Sequence, residues 1–240
     1  MLSPLLAAWL IPHFALREML LCFACLFMAV CVAALIEGAF AAEEVTVEET
    51  SSTGRLTMRL FIYFMALLLL YGGLETCLSG WLTTYALRYG EKTLAISEYT
   101  TLLLWMSLTA GRAGSSLVML KIGEKTAQRW GLALTVAFTA GLATAHSAMM
   151  IATFAVLLGL SLAPFFPATF ALLMAEGPSA RQAGVVLAVS GLGAAALPWL
   201  MGVVSTRTGS LQVALGLPLA AAVVLLGMSL WNKKSRGLTN

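Results

Sequence analysis

The chain has 240 residues, of which 60% are hydrophobic and only 10% charged, with a formal net charge of +3 and a mean hydropathy of +0.92. A soluble domain is nearer half apolar and a quarter charged, so lipid rather than water must solvate this surface, and a large soluble domain has no room beside about six or seven spans of ~20 residues. No basic run with interleaved aromatics is present, which excludes nucleic acid as a partner, and aspartate is absent altogether, which removes Asp-based triads, aspartic dyads and EF-hand loops.

Residues 1–12 are apolar but lack the basic flank and cleavage site of a signal peptide, so they read as roughly half a span. A full span is expected over 17–40. It contains Cys22, Cys25 and Cys31. The Cys22–Cys25 pair has the CxxC spacing but lies in an apolar helix without further ligands, so it is read as inert thiol, with no metal site and no disulfide framework. Residues 41–58 carry four glutamates with Ser and Thr and read as a solvated linker. Six further spans follow at 59–87, 98–119, 129–147, 149–175, 182–204 and 210–231, with turns near 88–97, 121–125, His146, Gly177–Pro178 and 206–209. The fold class is therefore all-α, a polytopic membrane helix bundle with a short tail at 232–240.

Lys and Arg in the loops set the orientation. With the 41–58 linker inside, the inner set is Arg55, Arg59, Lys121, Lys125, Arg129, Arg181, Lys233, Lys234 and Arg236, against Arg17, Arg88, Lys92 and Arg207 outside. This bias places the C-terminus in the cytoplasm, with Trp231 as an interfacial anchor. One helix, a cytoplasmic linker and six more helices suggest half of a transporter built from two six-helix repeats.

Two ionisable residues lie deep within spans. Glu75, in LLLLYGGLETCLSGWL, sits ~18 Å below the outer end of its span, and Arg112, in LLLWMSLTAGRAGSSL, ~21 Å below the outer end of its own. A charge at that depth costs at least ~2.5 kcal/mol unless it faces a partner or water. Glu75 is thus either a structural partner, paired with Arg112 or hydrogen-bonded between helices, or a solute ligand or proton-titrating carboxyl. Tyr71 and Ser79 lie one turn either side on the same face. Arg112 reads as a gating or ion-pairing residue, with Trp105 and Thr109 on its face. Trp105, Phe165 and Phe166 are either packing aromatics or stacking surfaces for a sugar-like solute. Pro164, Pro167 and Pro198 are expected to kink their helices, and the dense Gly and Ala positions to pack helices closely.

These residues resemble the C-terminal half of a major facilitator superfamily permease, and most nearly the fucose–proton symporter type of sugar permease. The likeness rests on Tyr71, Gly73, Glu75 and Tyr85 on a seventh helix, Gly111–Arg112 followed by KIGEKTAQRWG after an eighth, Phe166–Pro167 on a tenth, and Gly191, Gly193, Pro198 and Met201–Gly202 on an eleventh. Glu75 stands where that type carries an amide, which leaves the substrate open. The resemblance implies that 59–231 is the six-helix C-terminal half, that 17–40 is the sixth helix, and that 1–12 ends a fifth. It further implies an inner (plasma) membrane protein of bacterial kind that moves a small polar, sugar-like solute by proton-coupled symport and alternating access. Its partners would be that solute, membrane lipid, and an N-terminal half or a second chain. No cofactor or metal is implied. The alternative is a truncated or split-transporter fragment that acts only as a membrane assembly partner. An intramembrane serine protease reading, with Ser190 and His146, lacks a suitable base and oxyanion group, and no enzyme is expected.

Overall fold

A computed structural model describes residues 56–90 and 95–236, together with Cys25, Met28, Ala29 and Val32, which are helical. The expected segments at 1–12 and most of 17–40, nearly all of the 41–58 linker, Cys22, Cys31 and the last four residues lie outside the described residues. Two compact units divide at Ser52, and the description below concerns the second.

Its helices are α1 (Met58–Tyr89), α2 (Thr100–Ile122), α3 (Glu124–Ala143), α4 (Ala148–Leu162), α5 (Phe165–Ala175), α6 (Ala180–Thr208), the single turn α7 (Leu211–Ala214) and α8 (Gly216–Arg236). A 3-10 turn at Ala95–Ser97 precedes α2. Among the described residues, Met58–Tyr89, Ala148–Ala175, Ala180–Thr208 and Leu211–Leu230 are long and apolar enough to cross a membrane by themselves. Helices α2 and α3, of 23 and 20 residues, are long enough too, but carry Arg112 at mid-helix and Glu124, Lys125 and Arg129 near the start of α3. Large apolar side chains point outward along the bundle, among them Leu117, Leu120, Met149 and Val213. Such a surface is stable only in lipid, and the protein is an integral membrane protein.

The expected spans lie over these helices, with three local differences: the span at 149–175 is divided into α4 and α5, α8 runs on to Arg236 into the stretch expected as a tail, and the link before α3 is shorter. The turn expected at 121–125 shrinks to Gly123. That residue ends α2 and starts α3 at φ 73, a left-handed backbone that an L side chain rarely adopts. The third helix therefore begins at Glu124 rather than near 129, and its first turn carries Glu124 and Lys125, with Arg129 in the second.

Helix α1 packs chiefly on α6, and α2 on α4; α3 packs on α4 and α5, and α8 on α3 and α1. Exchanging the first three spans for the last three carries this pattern into itself: α1–α6 becomes α4–α2, α3–α4 becomes α8–α1, and α3–α8 maps onto itself. The order is that of two three-helix repeats. Glycines permit the two principal seams. A methyl group added at Gly193 would land on the Leu69 carbonyl of α1, and one added at Gly159 on Ser107 and the Leu104 carbonyl of α2. Backbones approach this closely only where the side chain is absent.

The prolines act differently from one another. Pro164 separates α4 from α5, and with Pro167 removes the donors that the Leu160 and Ala163 carbonyls would otherwise take. Pro198 lies inside α6, which continues through it. The carbonyl it leaves unpaired in the helix is that of Ala194, and the Thr76 hydroxyl of α1 lies 3.0 Å from it. Trp81 Nε1 donates to the Pro198 carbonyl at 3.1 Å.

Candidate functional site

Glu75 sits midway along α1 and Arg112 midway along α2. Their side chains meet, with Arg112 Nη2 3.0 Å from each carboxylate oxygen. Gly111 makes the approach possible: a methyl group there would lie 2.6 Å from Ala163 Cβ, so α2 runs tightly past the α4–α5 break just where Arg112 projects. The two side chains differ in exposure, 12% for Glu75 and 37% for Arg112. Each charge is neutralised by the other, which removes most of the penalty for placing it in a span.

The geometry is not the two-nitrogen fork that arginine commonly makes with a carboxylate. One nitrogen, Nη2, serves both oxygens and also reaches Tyr71 Oη at 3.4 Å. Arg112 Nε is buried and has no hydrogen-bond partner among the described residues. A buried unsatisfied donor in an otherwise well-paired interior marks a place where further hydrogen-bonding capacity is held. The guanidinium carbon lies 5.8 Å from the Phe166 ring centroid, within range of a cation–π contact.

Tyr71 is 1% exposed. Its hydroxyl donates to the Leu162 carbonyl at 3.2 Å, at the last residue of α4 before the proline break. Its ring stacks on Phe165, the first residue of α5, with centroids 4.5 Å apart. Phe166 continues the group, 6.4 Å from Tyr71 and stacked on Phe170 at 6.2 Å. The ion pair is therefore tied on both sides to the point where the α4–α5 span is broken.

Of the residues singled out in the sequence, Glu75, Arg112, Tyr71, Phe165 and Phe166 come together, with Pro164 and Pro167 at the same break. Ser79 and Trp105 are not partners of the pair. Ser79 is buried and its hydroxyl returns to the Thr76 carbonyl of its own helix at 3.3 Å. Trp105 is half-buried and packs against the core. Ser190 packs at Gly72, and His146 lies in the exposed turn before α4. Among the described residues no group of His, Cys and Glu could hold a metal ion, and Cys25 and Cys77 are free thiols.

Sequence reasoning missed two polar networks. Gln128 Nε2 donates to Thr169 Oγ1 at 2.7 Å and Gln128 Oε1 accepts from Ser229 Oγ at 3.1 Å, joining α3, α5 and α8. Thr83 and Thr101 hydroxyls meet at 2.8 Å, and Thr101 also donates to the Ser79 carbonyl at 3.0 Å. A neutral polar residue in an apolar span was the only signal available, and it does not reveal which residue it meets.

No protein-family model matches the chain, and no curated protein does. Among solved structures, the chain is similar to a major facilitator superfamily transporter, FucP, whose crystal structure is in the outward conformation; the TM-score is 0.66 at 16% identity. The match covers 76% of this chain and 44% of that one, so the chain spans less than half the length of the transporter it matches. The likeness identifies the major facilitator fold.

Proposed function

We propose that this bundle is the C-terminal half of a major facilitator carrier that moves a small polar, sugar-like solute across a bacterial inner membrane by alternating access, coupled to protons. The observation that carries the reading is the Glu75–Arg112 pair, held at mid-bundle with a spare guanidinium donor and tied through Tyr71 to a broken helix. A carboxylate and guanidinium in a span are costly unless used, and intramembrane ion pairs commonly mark solute or proton pathways.

The chemistry follows from the contacts. With Glu75 ionised, Arg112 Nη2 is committed to it. A proton on Glu75 removes the attraction and frees the guanidinium to bind solute oxygens. Solute hydroxyls compete for the same donors, so proton and solute occupancy are coupled at one point. Tyr71, buried and bonded to the Leu162 carbonyl, positions Arg112 rather than touching solute, and transmits its movement to the α4–α5 break. Phe166 offers a stacking face beside the guanidinium. Ser79 and Trp105 take no direct part in this arrangement.

A carrier also needs a second repeat opposite the first. Helix α6 leaves the small residues Gly184, Gly191 and Ala195 exposed on one face, where the backbone of a helix from a further bundle can approach closely. A chain that only assembles with such a bundle, without transporting alone, remains the second reading. The test is reconstitution of this chain alone and together with a supplied N-terminal half, scored by uptake of a panel of sugars under an inward proton gradient. Uptake by the combined halves supports the carrier reading. Assembly with no uptake of any solute in the panel supports the second.

A further inference from the structure

A separate cavity of about 400 Å³ lies at the end of the bundle where α1 and α3 begin and α5 and α8 finish. None of its lining residues belongs to the Glu75–Arg112 cluster. It sits at the cation-rich end, which carries Arg59, Lys121, Lys125, Arg129 and Arg181, whereas Arg88 and Arg207 mark the other end.

Lys125 and Arg129 both line the cavity, and their spacing of four residues places them on one face of α3. Arg129 is fixed in place: its Nε and Nη2 reach the Ser229 carbonyl at 3.3 and 3.0 Å. A carbonyl carries no formal charge, so this anchoring leaves the charge of Arg129 undiminished. Gln128, 4% exposed, joins Thr169 and Ser229 and makes the floor rigid. The N–H groups of the first turn of α3 are oriented toward that end without a side-chain cap, though Glu124 in the same turn offsets their positive field, so the cationic character of the cavity rests on Lys125 and Arg129. Glu176 is the single carboxylate in the lining, against two cations. Phe64, Leu67 and Leu172 supply an apolar wall.

We infer that this cavity binds the phosphate of a phospholipid headgroup, with Lys125 and Arg129 as the cations and the apolar wall against the first carbons of the acyl chains. The position supports a lipid over a soluble anion. Helix ends rich in Lys and Arg lie at headgroup depth on the inner face of a membrane, where basic pockets between spans take acidic lipids. A soluble phosphate would gain nothing from Phe64, Leu67 and Leu172. This site is independent of the transport reading.

The full chain, purified in detergent, is titrated with phosphatidylglycerol, with diacylglycerol of the same acyl chains and with inorganic phosphate, and retention is read by native mass spectrometry. Phosphatidylglycerol is expected to be retained and diacylglycerol lost. Lys125→Gln is expected to weaken phosphatidylglycerol binding about fivefold, the worth of one cation near the headgroups. Lys125 is exposed, so this variant should fold; Lys125→Gln/Arg129→Gln should weaken binding further, with its unfolding temperature measured because Arg129 also holds Ser229. Equal retention of diacylglycerol, or binding indifferent to Lys125→Gln, overturns the inference. Saturation by inorganic phosphate with no retention of phosphatidylglycerol also overturns it, in favour of a soluble-anion site.

Discussion

Two proline-bearing spans of this bundle respond to the same residue in opposite ways. Helix α6 passes through Pro198 unbroken, supported by the neighbouring α1, where Thr76 reaches the Ala194 carbonyl and Trp81 donates to the Pro198 carbonyl. The span of α4 and α5 separates at Pro164, and α1 meets it not at the Leu160 or Ala163 carbonyls that the prolines free but at the last carbonyl of α4, through a hydroxyl that is itself bonded to a charge: Tyr71 donates to Leu162 and accepts from Arg112. A proline removes one hydrogen bond in either case. What differs is the contact from α1: at Pro198 it reaches the freed carbonyl of Ala194, and at Pro164 it reaches the neighbouring Leu162 carbonyl from a residue bonded to a charge. Among the described residues, Thr76 and Trp81 bond only to backbone carbonyls. Tyr71 is in contact with the guanidinium of the carboxylate–guanidinium pair, so under the proposed function a change of state at that pair would reach the broken span before the continuous one.

Perturbing each region separately tests this contrast. The largest effect is expected from Gly193→Val, which forces a side chain into the Leu69 carbonyl across the α1–α6 seam and should cost about 3 kcal/mol of stability, seen as a large fall in unfolding temperature in detergent. Tyr71→Phe removes the donor to Leu162 and the acceptor for Arg112, and should cost about 1 kcal/mol while making the break more susceptible to limited proteolysis or hydrogen exchange around 160–166. Thr76→Val removes a hydroxyl that the Ala194 carbonyl shares with the nearer Gly72 carbonyl and should cost about 0.6 kcal/mol, with exchange around 194–198 little changed. If Thr76→Val loosens α6 as much as Tyr71→Phe loosens α4–α5, the two prolines are equivalent and the distinction drawn between them fails.

Much of this was legible in the sequence, because hydropathy alone delimits a span when lipid is the solvent. The similar depths of Glu75 and Arg112 anticipated that they could pair, since two opposite charges at one level in an apolar layer have few other partners. Pro164 and Pro167 were expected only to kink a single span over 149–175, which instead divides into two helices at Pro164. The interior role of Tyr71 was not legible. Helical spacing put it on the face of Glu75 but could not say that its ring would stack on Phe165 and its hydroxyl on Leu162, because those partners come from a span more than eighty residues away. Ser79 shared the same face and proved to satisfy itself on its own helix. The short link at Gly123 was missed because Lys121, Glu124 and Lys125 read as loop residues. One glycine with positive φ turns the chain there, and the charges fall on helix ends.

The central claim is that the Glu75–Arg112 pair couples proton and solute. The direct measurement is Glu75→Gln in the chain assembled with an N-terminal half, with proton-driven uptake and solute exchange measured side by side. Loss of proton-driven uptake with exchange retained is the predicted result, because the amide keeps the shape but cannot release a proton. Uptake and exchange both unchanged would contradict the role given to Glu75.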